Sequence, residues 1–195
     1  MKALTLLIIA IVCLNFISCK NTHAFDKYVK ELDSLKVVVQ QSVANFKTVD
    51  SLTCVTAAAK QYTYAQFIET HLKDTVSKSV VENLQDFQSV KQGLNDYLAY
   101  RSDWLAQANA CVIQLQNLSH DLKNGSISEE EAIEFKKKKK KQAENSIEGL
   151  KINTEVIRKH LEVFNQSLPV CEDLVKQLNS GVLPQLIKPE IKPSH

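Results

Sequence analysis

Cys54, Cys111 and Cys171, His71, His120 and His160, and an unbroken run of six lysines from Lys136 to Lys141 are the residues in this chain with most chemistry to offer. The thiols show no C-x-x-C spacing and no mixed Cys/His cluster, so a zinc site is not expected. None of His71, His120 and His160 has a partner at i+4. H-E-x-x-H, E-x-x-H, G-x-S-x-G and a phosphate-cradling glycine loop are all missing from the sequence. Paired carboxylates occur only in the cluster Glu129-Glu130-Glu131, which reads as a helix cap. The expectation is a non-enzymatic protein with no catalytic, cofactor or metal-ligating residues.

Lys136, Lys137, Lys138, Lys139, Lys140 and Lys141 form the one strong charge feature. On a helix six successive residues spread over every face, so the apolar stripe is expected to lapse here and the segment to be solvated or splayed. As a functional element the run would be a landing patch for an anionic partner such as an acidic glycan, a lipid headgroup or an acidic protein. As a structural one it is a solvated face, partly neutralised by Glu129, Glu130, Glu131, Glu134 and Glu144. Three further positions, Asn117, Asn124 and Asn165, begin N-x-S sequences and are glycosylation candidates if the chain is eukaryotic.

The net charge argues against nucleic acid as a partner. The whole chain carries 24 basic and 22 acidic residues. Loss of Lys2 and Lys20 with a leader would leave 22 of each, and only Arg101 and Arg158 supply the guanidinium forks that read phosphate and bases.

The leader is read from the apolar run Leu4 to Ile17 behind Lys2, which is too short for the roughly 20 residues of a membrane span. Two processing sites compete. Cleavage after Thr22-His23-Ala24 would make residues 1–24 a signal peptide and the protein secreted. Phe16-Ile17-Ser18-Cys19 resembles a loose lipobox, which would make 1–18 a lipoprotein signal and leave a lipidated Cys19 at a bacterial outer membrane or surface.

The elements that must position the reactive residues are helices. The fold expected is all-α, an elongated antiparallel bundle or coiled-coil hairpin with helices over 25–49, 51–123 (broken somewhere near 60–75) and 128–180, forming a domain over 25–180 before a Pro-containing, mobile tail over 181–195. Phe25, Tyr28, Leu32, Leu35, Val39, Phe46 and Val49 recur at 3/4 spacing, with Ser42 filling a polar slot. Asp50-Ser51 suits either a new helix start or a solvated face, while Ala57-Ala58-Ala59 is strongly helical. A second stripe runs Val80, Leu84, Phe87, Leu94, Leu98, Leu105, Ala108, Val112, Leu115 and Leu122. It stops at Asn124-Gly125-Ser126, after which Ser128 and Glu131 have capping-box spacing. The third stripe passes through Ile147, Leu150, Thr154, Ile157, Leu161, Phe164, Leu168, Cys171, Val175 and Leu178, and Pro169 within it predicts a kink or short break.

A turn near 125 pairs positions on its two arms whose numbers sum to about 251. Cys111 and Cys171 then lie far apart, so Cys54–Cys171 is the disulfide expected, with Cys111 left as an odd, buried thiol. By the same ruler Arg101 faces Glu148. The function expected is structural, binding or self-assembling, with a protein partner or a second copy docking on the helical faces. The alternatives are a lipoprotein adaptor or adhesin held to the membrane through Cys19 alone, and a carrier of lipid or another apolar ligand.

Overall fold

The structure, a computed structural model, describes residues 25–191; the leader and both of its processing sites, Ala24 and Cys19, lie outside them. The fold is all-α. The helices are α1 (Asp26–Lys47), α2 (Ser51–His71), α3 (Lys78–Lys123) and α4 (Glu129–Leu178), with no strand among the described residues. None of these helices is long and apolar enough to cross a membrane.

Each helix boundary has a local chemical cause. Asp50 caps α2, its carboxylate accepting from the Leu52 amide at 3.2 Å and the Thr53 amide at 2.9 Å. This separates α1 from α2 at residues 48–50. The break expected near 60–75 falls at 72–77, where Leu72 leaves the helix with an extended backbone. At the end of α3, Gly125 takes a left-handed φ of 60°, the Ser126 amide reaches the Asp121 carbonyl at 3.0 Å and the Gly125 amide the Leu122 carbonyl at 3.2 Å, the paired bonds of a Schellman stop. The capping box expected at α4 forms: the Ser128 amide donates to Glu131 at 2.9 Å and the Glu131 amide to the Ser128 hydroxyl at 3.3 Å. Pro169 does not end α4, which continues to Leu178. Pro169 and Asn165, whose carbonyl loses its usual donor, are both exposed, so water can take that bond.

The chain divides into two units, one containing residues up to Gln40 with Asn109–Asn145, the other Gln41–Ala108 with the chain from Ser146. The core of the first unit collects Val29, Leu32 and Val39 of α1, Cys111, Leu115, Leu118 and Leu122 of α3, and Ala132 and Ala143 of α4. Ser119, Lys36 and Lys123 all reach Asp33, at 3.4, 3.1 and 3.5 Å.

In the second unit α3 and α4 residues pair in opposite order along the chain: Phe87 stacks on Phe164 at 5.6 Å, and Gly93 abuts His160. A Cβ on Gly93 would fall 2.1 Å from His160 Cδ2, so the missing side chain is what lets the imidazole lie against α3. Phe46 is fully buried, tilted against Tyr97 at 5.6 Å and edge-on to Trp104 at 6.0 Å. The joint between α1 and α2 is held from both sides. Tyr97 donates its hydroxyl to the Val49 carbonyl at 3.2 Å, and Arg158 reaches Asn45 and Thr48 at 3.2 and 2.8 Å. Arg101, expected opposite Glu148, instead donates from Nε to the Tyr97 hydroxyl at 3.2 Å. Tyr97→Phe removes the donor to a buried carbonyl and should cost about 1–3 kcal/mol, read as a lowered midpoint in urea denaturation.

The expected Cys54–Cys171 disulfide does not form; none of the three described cysteines is in a disulfide, and all are fully buried. The register explains why. Lys60 on α2 pairs with Glu172 on α4 at 2.9 Å, which puts Cys171 level with Lys60. Cys54 then lies six residues back along α2, an axial offset of about 9 Å, where a disulfide bridges Cα atoms roughly 4.4–6.8 Å apart. Burial pushes the Cys54 thiol up to about 11 and the Cys171 thiol to about 12, which keeps both protonated and unreactive.

The tail is not wholly free. It carries no helix after Gly181, but the Ile187 amide donates to the Thr63 hydroxyl at 2.8 Å, and that hydroxyl in turn donates to the Ala59 carbonyl at 2.7 Å. The chain is thereby tied to a buried position of α2.

Candidate functional site

The lysine run sits in the first unit, and its structure differs from the solvated stretch expected there. Ala132, Lys136, Lys139 and Ala143 continue the inward stripe of α4 at 4-3-4 spacing: both alanines are fully buried and both lysines half-buried, whereas Lys137, Lys138, Lys140 and Lys141 are exposed. A lysine can occupy a seam position because its stem packs as hydrocarbon while its ammonium finds polar partners. Lys139 finds Gln114 of α3 at 2.6 Å and Gln142 at 3.3 Å. Lys136 pairs with Glu31 of α1, and its Nζ lies 4.2 Å from the centroid of the Tyr28 ring.

That Lys136–Glu31 contact forms one wall of a groove of about 790 Å³ between α1 and α4. On α1 it is lined by Lys27, Lys30, Glu31, Leu32, Ser34, Leu35 and Val38, a single face at i, i+3/i+4 spacing; on α4 by Lys136 and Lys140, one turn apart. Leu32 is buried, Leu35 half-buried, and Val38 is 42% exposed. The groove thus combines a strip of aliphatic surface with four ammonium groups and one carboxylate.

Glu31 registers the field those ammonium groups create. The hydrogen bond from Lys136 holds its pKa below the usual carboxylate value against the opposing desolvation, and the charges of Lys136, Lys27 and Lys140 add to the effect. Lys140 also lies 3.8 Å from Glu144, but both side chains are more than half exposed, so this pair holds the ammonium only loosely.

The other residues with chemistry are dispersed. His71 stacks on Phe67 and bonds the Phe67 carbonyl at 2.9 Å; His120 meets Asn124 at 3.1 Å. No group of three or more His, Cys, Asp or Glu side chains that could hold a metal comes together among the described residues. The candidate glycosylation residues Asn117 (on α3), Asn124 (at its C-terminal turn) and Asn165 (on α4) are all exposed.

His160 is half-buried and desolvation lowers its pKa from 6.5. A histidine whose folded pKa lies below its unfolded one stays neutral in the native state, so its contribution is complete above about pH 6.5 and is lost as the pH falls toward the folded value. Thermal midpoints should therefore drop between pH 7 and pH 5, and His160→Gln should flatten that part of the profile.

The α1 side of the groove is the part that reading the chain alone missed. Lys27, Lys30, Leu35 and Val38 were legible as an amphipathic helix, but nothing local announces that this face meets Lys136. No family model matches the chain, and neither a curated protein nor a solved structure matches it.

Proposed function

We propose that this is an exported, non-enzymatic binding protein whose α1–α4 groove takes a single-chain anionic amphiphile, a molecule with one acyl or alkyl chain and a carboxylate or phosphate head. The observation that carries this reading is the coincidence of aliphatic surface and four lysines in one concavity, Leu35 and Val38 lining the same groove as Lys27, Lys30, Lys136 and Lys140. An apolar chain gains by covering the exposed valine and leucine surface. An anionic head gains the electropositive rim that already lowers the Glu31 pKa. A concave site with a few convergent charges suits a small ligand better than a flat membrane surface does.

Export rests on the leader read from residues 1–24. The groove favours a carrier over a matrix component or an adaptor. Native mass spectrometry of protein isolated from its source without detergent tests the proposal. A bound anionic amphiphile, released on acidification, is expected; protein recovered only in the free state, and still free after incubation with fatty acid, would overturn it.

A further inference from the structure

The second unit holds a separate concavity of different character, about 380 Å³, between α3 and α4. One wall is aromatic: Tyr97, Tyr100 and Trp104, the last two with ring centroids 6.0 Å apart and planes tilted by 33°. The rings are fixed from behind, since Phe46 meets the indole edge-on and the Tyr97 hydroxyl is committed to Val49. Tyr100 and Trp104 nevertheless remain half-exposed toward the opening. The rest of the lining is polar, with Asn153 and His160 from α4 and Ser89, Gln92 and Asp96 from α3, and Gly93 is what lets the His160 ring lie against α3 there. Gln92 donates to Asp96 at 2.8 Å, which orients that carboxylate.

Charge separates this site from the lysine groove. Asp96 is the one Asp, Glu, Lys or Arg lining it, and burial keeps His160 toward its neutral form. An anionic ligand would meet a carboxylate and no counter-ion. An uncharged ring bearing hydroxyls on its edge and C–H bonds on its face meets complementary groups throughout. Aromatic surface covers the C–H face, while carboxamide, carboxylate and neutral imidazole supply both donors and acceptors to the hydroxyls. The volume falls near the lower end of the ~300–1,000 Å³ typical of small-ligand pockets.

We infer that this groove is a saccharide-binding site, in which Tyr100 and Trp104 carry the face of a pyranose ring and Asp96, Asn153 and His160 bond its hydroxyls. The site stands apart from the amphiphile groove and does not depend on it.

Trp104 is the only tryptophan in the chain, so its emission reads this groove and no other. The full chain is titrated with a panel of neutral trisaccharides, maltotriose, cellotriose and triacetylchitotriose, and in parallel with tetramethylammonium and dodecyl phosphate. A saturable change in emission with at least one trisaccharide is expected. Asn153→Ala and Tyr100→Ala should each weaken it at least tenfold while far-ultraviolet circular dichroism stays unchanged, and calorimetry on the same variants should agree. A response to tetramethylammonium alone would make the groove a cation cage and overturn the inference. So would silence toward the whole panel, or a trisaccharide response that persists in both variants.

Discussion

Reversing the two groove lysines, Lys136→Glu with Lys140→Glu, should cut affinity for a single-chain anionic amphiphile by about 10- to 100-fold. Each exposed ion pair lost is worth about 0.2–1 kcal/mol, and two introduced carboxylates add repulsion of similar size, so about 1–3 kcal/mol is at stake. Calorimetric titration reads the effect. The matched control is Lys137→Glu with Lys141→Glu, which changes net charge equally on the same helix at exposed positions that do not line the groove. If the groove rather than general basicity holds the ligand, the control pair loses little and that loss vanishes in added salt, because exposed charges beyond about 10 Å are screened at 0.1 M. Glu31→Gln should act in the opposite sense, since it removes the anion that now occupies Lys136.

The largest stability effect is expected at Phe46. Its ring is fully buried and meets both Tyr97 and Trp104, so Phe46→Ala should cost about 3–5 kcal/mol through lost transfer energy and the cavity left behind. Urea denaturation followed by Trp104 emission measures this directly, and the folded variant should emit further to the red as water reaches the indole. Leu52, 69% exposed on α2, provides the contrast: Leu52→Ala should change stability by no more than about 0.5 kcal/mol.

Much of this architecture is legible in the residues themselves. The apolar stripes mark the helices because burial obeys the 3.6-residue period. Leu32, Val39 and Phe46 are buried on α1 and Val49 just after it, Phe87, Leu94, Ala108, Leu115 and Leu122 on α3, and Leu150, Ile157, Phe164 and Val175 on α4. Thr154, a polar residue within a stripe, is accommodated by donating to the Leu150 carbonyl at 2.6 Å. The turn at Gly125 and the box at Ser128 are readable because both are set by residues a few positions apart.

What escapes a linear reading is set by distant partners. Lys136 and Lys139 look like part of a solvated run, since the feature that distinguishes them from Lys137 and Lys138 is contact with Tyr28, Glu31 and Gln114. The cysteine pairing fails for the same reason: it depends on the register of α2 against α4, which the Lys60–Glu172 pair marks and no local pattern encodes. The tail looked mobile because its anchor, Thr63, belongs to another helix.

The most direct test of the account is a calorimetric comparison of three small molecules on the full chain: dodecyl phosphate below its micellar concentration, its uncharged counterpart dodecyl maltoside, and inorganic phosphate. Saturable binding of dodecyl phosphate at one per chain, weakened by salt and by Lys136→Glu with Lys140→Glu, with neither the uncharged amphiphile nor phosphate alone binding comparably, is the predicted result. Equal binding of dodecyl maltoside, binding unaffected by the lysine reversal, or adsorption to anionic vesicles without binding of the monomer would contradict it.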